Sequence, residues 1–400
     1  MSAGTGERVD VARLLSARSP DLAEHHARFG PLPVLGAPQL VDRLTRAGLT
    51  GRGGAGFPTW RKVADVRAAG ARRTVVVANG AEGEPGSHKD AMLLARAPHL
   101  VLDGLALAAA AVGADEVHLY AGGAALGGIR VALAERRDRR VQLTEAPETF
   151  VAGEESAVVN RLQGGPAVPL DRTSRVTRAG VRGRPTLVQN VETLAHLALI
   201  ARYGPEWFRS VGLPDDPGTR LVSVTGDVPR GGVLEVASGT GLAHLLRERD
   251  ADPRGVRAVL VGGYHGAWVP GPELGHTRLS AASLQRYGAS PGAGILHVLG
   301  AQRCGLVASA LIATWLGQQS SRQCGPCVNG LPAMADALTR LARRERTPDL
   351  VGQVQRLSAV VTGRGSCRHP DGTARFVRST LATFQSDVSA HLRGVCEVTG

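Results

Sequence analysis

An α/β layer, then a β-grasp module, then a helical bundle is the fold that the sequence predicts, and three observations predict it. The first two hundred residues alternate β-branched runs with helical periodicity. After the Pro/Gly/Asp linker Asp215 to Gly218 come a hairpin pattern, a short helix and a further strand. From Leu306 onward the apolar spacing is helical throughout, with cysteines at the joints. The expected domains are therefore 1–210, 218–275 and 300–395, and 400 residues at 43% apolar content suffice for a core in each.

Element by element, a periodic segment at Pro38 to Ala47 leads into the glycine loop GRGGAGFPT, and an amphipathic helix is expected from there to Gly70. TVVVAN at 74–79 reads as a short strand, followed by an acidic loop and by helical periodicity from Lys89 to Val112 with a break near Pro98. EVHLYAGG, a helix near Ile129 to Arg137, and VQLTEA continue the alternation. RLVSVTGDV, the turn PRGG and VLEVAS form the hairpin, with a helix at Leu242 to Arg249 and the strand AVLVGG behind it. Helices at Leu306 to Gln318, Leu331 to Arg344, Leu350 to Val361 and Thr373 to Leu392 make the tail.

Composition narrows the function classes. The net charge is +12, but the basic residues are scattered, with only two short runs at Arg136 to Arg140 and Arg340 to Arg346. That distribution indicates a solvated or partner-facing surface rather than a nucleic-acid footprint. Only Lys62 and Lys89 among the 47 basic residues are lysine, which marks both positions. The N-terminal stretch MSAGTGERVDVARLL has no apolar core of signal-peptide length, and Leu100 to Val112 is interrupted by Asp103 and too short to span, so a soluble, cytoplasmic protein is expected. Of five cysteines, Cys324, Cys327 and Cys367 have a metal-like spacing, whereas Cys304 and Cys396 stand alone.

Four segments carry chemistry. The loop GRGGAGFPTWRK contains G-x-G-x-x-G at Gly51, Gly53 and Gly56, but a helical pattern precedes it, which disfavours an ordinary dinucleotide fold. Its glycines still let backbone N–H groups converge on a phosphate, Pro58 opens the next helix, and Lys62 adds a point charge one turn in. VVVANGAEGEPGSHKD offers Asn79, Glu82 and Glu84 at the C-terminal end of a strand, where α/β sheets bind ligands. FVAGEESAVVNRLQGG starts a helix with Gly153, Glu154 and Glu155, and GRPTLVQNVETL places Gln189 and Asn190 early in another. Alone, each has a bland alternative: a tight connector, a solvated acidic turn, or a helix cap.

Together, in this order, the four segments resemble the NADH-binding flavoprotein (F-type) subunit of respiratory complex I and the related diaphorase subunits of hydrogenases and formate dehydrogenases, from about Gly48 to Phe384. The resemblance implies a flavin-binding α/β domain, an SLBB-like β-grasp and an iron–sulfur helical bundle. It implies that Gly51, Arg52, Gly53, Gly54, Gly56, Phe57 and Lys62 hold FMN phosphate and border the nicotinamide site. Asn79, Glu82, Gly153, Glu154, Gln189 and Asn190 would line the flavin, and Glu84 and Glu155 would contact the nicotinamide. The chain departs from the family at Gly80 and Ala81, which remove one carboxylate and give NGAEGEP a wording closer to Rnf-type complexes, and at Phe150, which replaces a tyrosine. Two positions that are aromatic in the family fall at Asp65 and Arg175. An arginine there could meet a 2′-phosphate, so NAD(P)H is left open.

In the family S-C-G-x-C-x-P-C and a distant cysteine hold a [4Fe–4S] cluster. This chain has SSRQCGPC at 320–327 and GSC at 365–367, which puts Cys324, Cys327 and Cys367 in three ligand positions and Ser321 in the fourth. A serine-ligated four-iron cluster, a three-iron cluster and a Cys₃His zinc knot through His369 are the alternatives. The implied activity is NAD(P)H oxidation through FMN, with single electrons passed by the cluster to a ferredoxin-like or quinone-linked partner. The rival is a non-catalytic adaptor subunit that keeps the cofactors and has lost NADH oxidation.

Overall fold

The computed structural model describes residues 12–70, 73–171 and 174–398. The N-terminal stretch read for a signal peptide thus lies largely, over residues 1–11, outside the described residues. Helices α1 (Leu22–Phe29), α2 (Ala37–Ala47) and α3 (Thr59–Ala68) lead into strand β1 (Thr74–Gly80). Then follow α4 (Lys89–Arg96), α5 (Pro98–Val112), β2 (Ala114–Gly122), α6 (Gly123–Arg136), β3 (Val141–Ala146), α7 (Glu155–Leu162), β4 (Thr186–Asn190) and α8 (Val191–Arg209). The four strands form a parallel sheet in the order β3-β2-β1-β4.

Strand β1 is apolar from Val75 to Ala78 because both of its faces are covered there. Val76 and Ala78 join Leu100, Leu194 and Leu197 in the core under α5 and α8, whereas Val75 and Val77 meet Tyr120, Val158 and Val188 on the other face. The chain runs outward from β1 through β2 to β3 and then returns to place β4 on the far side of β1. The topological switch point therefore lies between β1 and β4, where Asn79 pairs in register with Asn190. This register corrects one expectation. Gln189 belongs to β4 rather than to a helix, and Asn190 is the cap that precedes α8, its side chain accepting from Glu192 N–H. The run TLVQ pairs with β1, and pairing overrides a pattern that is ambiguous by itself.

A second sheet is built from β5 (Thr219–Gly226), β6 (Gly232–Ala237), β7 (Val256–Val261), β8 (Ala267–Pro270) and β9 (Ile295–Gly300), with α9 (Leu242–Arg247) and α10 (Ala281–Leu284) between them. Its order is β6-β5-β9-β7-β8, with β5 and β9 parallel at the centre. Its central strand β9 thus lies beyond the range 218–275 read from the sequence. The tail comprises α11 (Gly305–Gln318), α12 (Leu331–Ala342), α13 (Leu350–Val361), α14 (His369–Thr383) and α15 (Gln385–Leu392). The single helix expected over Thr373 to Leu392 is broken at Phe384, whose ring packs 5.3 Å from Trp268 and against Gly305. Among the described residues no single helix is long and apolar enough to cross a membrane; α4 and α5 together would be, but they bend by 97°.

Candidate functional site

A cavity of about 280 Å³ opens at the switch point. Asn79, Glu82, Gly83, Glu84, Lys89, Asp90 and Asn190 line it from the parallel sheet, with Gly53 from the glycine loop and Gly153 and Glu154 from the turn before α7. His265 and Ile295 of the second sheet, and Cys367, Arg368 and His369 of the tail, complete it. All three layers thus meet at one place.

The two asparagines brace the strand ends. Asn79 donates its amide to Gly153 O (2.9 Å) and accepts from Ala81 N–H (3.2 Å). Asn190 donates to Asp90 Oδ2 (2.6 Å) and to Asn79 O (3.3 Å). Beneath them Lys89 is buried and bonds Asp90 at 2.7 Å and Glu192 at 2.9 Å. Burial works to lower the Lys89 pKa, but Asp90, Glu192 and Glu82 outweigh it and the ammonium is held charged. Asp90 is pushed up to about 7 by burial despite Lys89. Glu192 is held well below the usual range because Lys89, His196 and Arg52 overcome its burial. One buried cation therefore faces two carboxyls, Glu192 held ionised and Asp90 raised by burial.

The carboxylates marked in the sequence divide by environment. Glu82 accepts from Ser87 Oγ (2.6 Å) and from the N–H groups of Asp90 (3.0 Å) and Ala91 (2.8 Å), so it caps α4. Glu154 accepts from Ser156 N–H (2.8 Å) and Ala157 N–H (3.2 Å) and caps α7. Glu84 accepts from Tyr264 N–H at 2.7 Å and is pushed up to about 8 by burial, which that hydrogen bond only partly opposes. Burial thus favours its protonated form, which can donate as well as accept. Glu155 instead bonds Lys62 Nζ at 2.9 Å, and the ammonium also donates to Val188 O at 3.2 Å.

Of the first-loop residues only Gly53 reaches the cavity; Gly51, Gly54, Gly56 and Phe57 do not line it, and neither do Lys62, Glu155 or Gln189. Gly53 approaches so closely that a Cβ would stand 3.2 Å from Asn190 Cβ. Arg52 turns away: its buried guanidinium donates to Pro217 O and Thr219 O, both at 3.2 Å, and it fastens the loop to the second sheet rather than facing a ligand. The residues that sequence reasoning missed are Asp90 and His265 in the cavity wall and Glu192 beneath it, whereas Lys89 is marked by the scarcity of lysine and His369 only as a zinc ligand. Phe150 also lines the cavity, its ring 4.5 Å from His265 and 5.4 Å from His369.

The expected flavin is met by walls without side chains. Gly53, Gly83 and Gly153 expose backbone, and at Gly83 a Cβ would lie 2.1 Å from Thr149 O, so only glycine fits there. Amides, a protonated Glu84 and the aromatic edge of Phe150 suit a planar heterocycle with both donors and acceptors. The expected cluster is met by three neighbouring thiols. Cys327 is pushed up to about 12 by burial and then by Cys324 and Cys367, a proximity that disfavours thiolates unless iron is bound. His369 is committed through both ring nitrogens, to His265 at 3.0 Å and Leu316 O at 2.9 Å, so the zinc knot through His369 has no free ring nitrogen. Ser321 is half-buried in the turn before Cys324, next to Arg322 at φ +53°.

Residues 44–199 match the family described as the Nuo51 FMN-binding domain, and residues 307–391 match the NADH-ubiquinone oxidoreductase-F iron-sulfur binding region. The F 2 subunit of the NADH-quinone oxidoreductase of Rhizobium meliloti is 30% identical over 374 residues, covering 88% of this chain and 89% of the relative. The corresponding F subunit of Rickettsia felis is 27% identical over 376 residues, covering 89% of each. Among solved structures, an NAD+-reducing [NiFe]-hydrogenase in the air-oxidized state is similar with a TM-score of 0.82 and 30% identity over 89% of this chain. This chain spans 63% of the length of that hydrogenase chain.

Proposed function

Because the chain belongs to the family of NADH-quinone oxidoreductase F subunits, we propose that it oxidises NADH through FMN and passes single electrons by a [4Fe–4S] cluster to a ferredoxin-like or quinone-linked partner. Bound FMN would supply the conversion of a two-electron hydride into single-electron transfers. The observation that carries this reading is the shared cavity, in which Asn79 and Asn190 of the α/β layer and Cys367 of the tail line one space. Electron exit then needs no long path.

The chain's own residues supply position and charge. Gly53, Gly83 and Gly153 form the backbone wall, Asn79 and Asn190 orient the ring edge, and Lys89 with Asp90 and Glu192 fixes the floor. Burial raises the Glu84 pKa to about 8, so this carboxyl would be able to donate a hydrogen bond to a nicotinamide amide, while Glu155, tied to Lys62, would border its approach. Lys62 lies outside the cavity with Phe57 and, apart from Gly53, the Gly51 to Gly56 loop, and it would have to release Glu155 to hold the FMN phosphate. Cys324, Cys327 and Cys367 would hold the cluster, and Ser321 would either be a weak fourth ligand, its oxygen less well matched to iron than thiolate, or leave that corner empty. The second sheet serves as an SLBB-type β-grasp between flavin and cluster domains, with boundaries near 210, 300 and 395, and the protein works in the cytoplasm within a redox complex.

One observation bears on the nucleotide. Arg175 and Asp65, at the positions where the family is aromatic, form an exposed ion pair at 3.9 Å. Arg175, 79% exposed, could leave Asp65 for a 2′-phosphate, and NADPH is the second substrate to test. Anaerobic purification with flavin, iron and sulfide analysis, followed by NADH or NADPH while flavin absorbance is followed, tests the whole reading. Bleaching by a nicotinamide with FMN and sulfide present is expected. A protein that carries both cofactors but never bleaches would be the adaptor instead. Ser321→Cys should raise iron and sulfide toward the full complement, and absence of sulfide from both proteins after reconstitution would remove the cluster.

A further inference from the structure

On the side of the tail where α11 begins, Cys304 and Cys396, which have no partner in the sequence pattern, come together with His391. Cys304 Sγ, His391 Nε2 and Cys396 Sγ all lie within 4.8 Å of one another, and Cys304 Sγ is 3.4 Å from His391 Nε2. Among the described residues these are the His, Cys, Asp and Glu donors gathered so tightly; the thiols of Cys324, Cys327 and Cys367 are not. A tetrahedral ion with bonds of about 2.0 Å to nitrogen and 2.3 Å to sulfur needs donors roughly 3.5–3.8 Å apart. The Cys304–His391 pair, at 3.4 Å, lies just short of that range.

We propose that Cys304, His391 and Cys396 bind a single zinc-class divalent cation, with the fourth position open toward solvent, distinct from the iron–sulfur site. Three features support the assignment. His391 is buried and its Nδ1 lies 3.1 Å from Leu341 O, so the proton belongs on Nδ1 and the Nε2 lone pair faces the two sulfurs. A carbonyl that fixes the far nitrogen in this way is the usual support of a metal-bound imidazole. The tail is turned back onto the site by Gly394 at φ +85°, with Gly394 N–H on His391 O (2.9 Å) and Val395 N–H on Ala390 O (3.1 Å). Finally, the donor types suit a divalent cation. Two thiolates and a neutral imidazole balance one divalent ion, and sulfur with imidazole selects a soft or borderline metal.

Bound there, the ion would clip the last segment of the chain to the start of α11, directly after the second sheet. The test uses the full chain with its cluster reconstituted, incubated with zinc chloride, dialysed, and analysed for zinc, iron and sulfide, in parallel with cobalt substitution. One retained zinc per chain and a tetrahedral thiolate–cobalt spectrum are expected. Cys396→Ser should lose that zinc and that spectrum with iron and sulfide unchanged. Cys304→Ser serves as a second variant should Cys396→Ser fail to keep its iron. Two results overturn the proposal: no zinc in the native protein, including the case where peptide mapping finds a Cys304–Cys396 disulfide under anaerobic reducing conditions, or native zinc content in both serine variants.

Discussion

Lys62 and Lys89 each hold a glutamate at 2.9 Å, Glu155 and Glu192 respectively, yet the first pair is about a quarter exposed and the second is 1% exposed on both sides. The same distance therefore means different things. Water can replace either member of the outer pair, so its net worth is small and its charges remain available to an arriving ligand. Nothing can replace a member of the inner pair, and removing one leaves the other charge buried. The inner cluster is a rigid floor for the site; the outer pair is a contact that binding can rearrange.

The largest expected effect is on the floor. Lys89→Met leaves Glu192 and Asp90 without their cation and should cost about 3–5 kcal/mol in chemical denaturation. A loss under about 1 kcal/mol would break the comparison, and adding Glu192→Gln should return part of the stability. Next comes Glu84. Its folded pKa, about 8, is raised above the ordinary carboxylate range, so its contribution to stability is complete at acid pH and is lost as pH rises toward 8. Glu84→Gln should flatten that stretch of the stability profile, an effect of about 1.4 kcal/mol for each tenfold change in proton affinity and a few kcal/mol at most. An unchanged pH profile would show that Glu84 is not protonated in the fold.

The outer pair should give little in stability and more in function. Lys62→Ala is expected within about 1 kcal/mol of the parent by denaturation while weakening flavin retention on dilution. Glu155→Gln should slow flavin reduction by NADH more than reduction by dithionite; equal slowing would assign it to the fold. The smallest effect is expected at the exposed Arg175 and Asp65 pair, where Arg175→Ala should leave stability unchanged and raise KM for NADPH without raising it for NADH.

Much of this is legible in the residues. Asn79 at a strand end, Gly53 in the glycine loop, Cys324, Cys327 and Cys367 by spacing, and both lysines by scarcity all stand out without any knowledge of the fold. What is not legible has particular causes. Glu82 and Glu154 carry the right chemistry for ligands but sit just ahead of helices, and their oxygens go to backbone N–H groups. Gln189 sits in a run with no decisive period, and pairing with β1 makes it a strand. β9 follows a Gly- and Pro-containing stretch and is recognisable only through its place between β5 and β7.

By itself the sequence determined the alternation of strands and helices, the glycine-walled loop and the supply of thiols, because periods of two and 3.6 residues and side-chain chemistry are local properties. Only the tertiary structure decided that Cys367 shares a cavity with Asn79, that Arg52 turns away from it, and that Cys304 meets His391 and Cys396. It also decided that Glu84 is buried, which raises its pKa, while Glu155 holds Lys62. Contacts between residues far apart in the chain depend on how whole layers pack, and a carboxyl's charge depends on the burial and neighbours that packing creates.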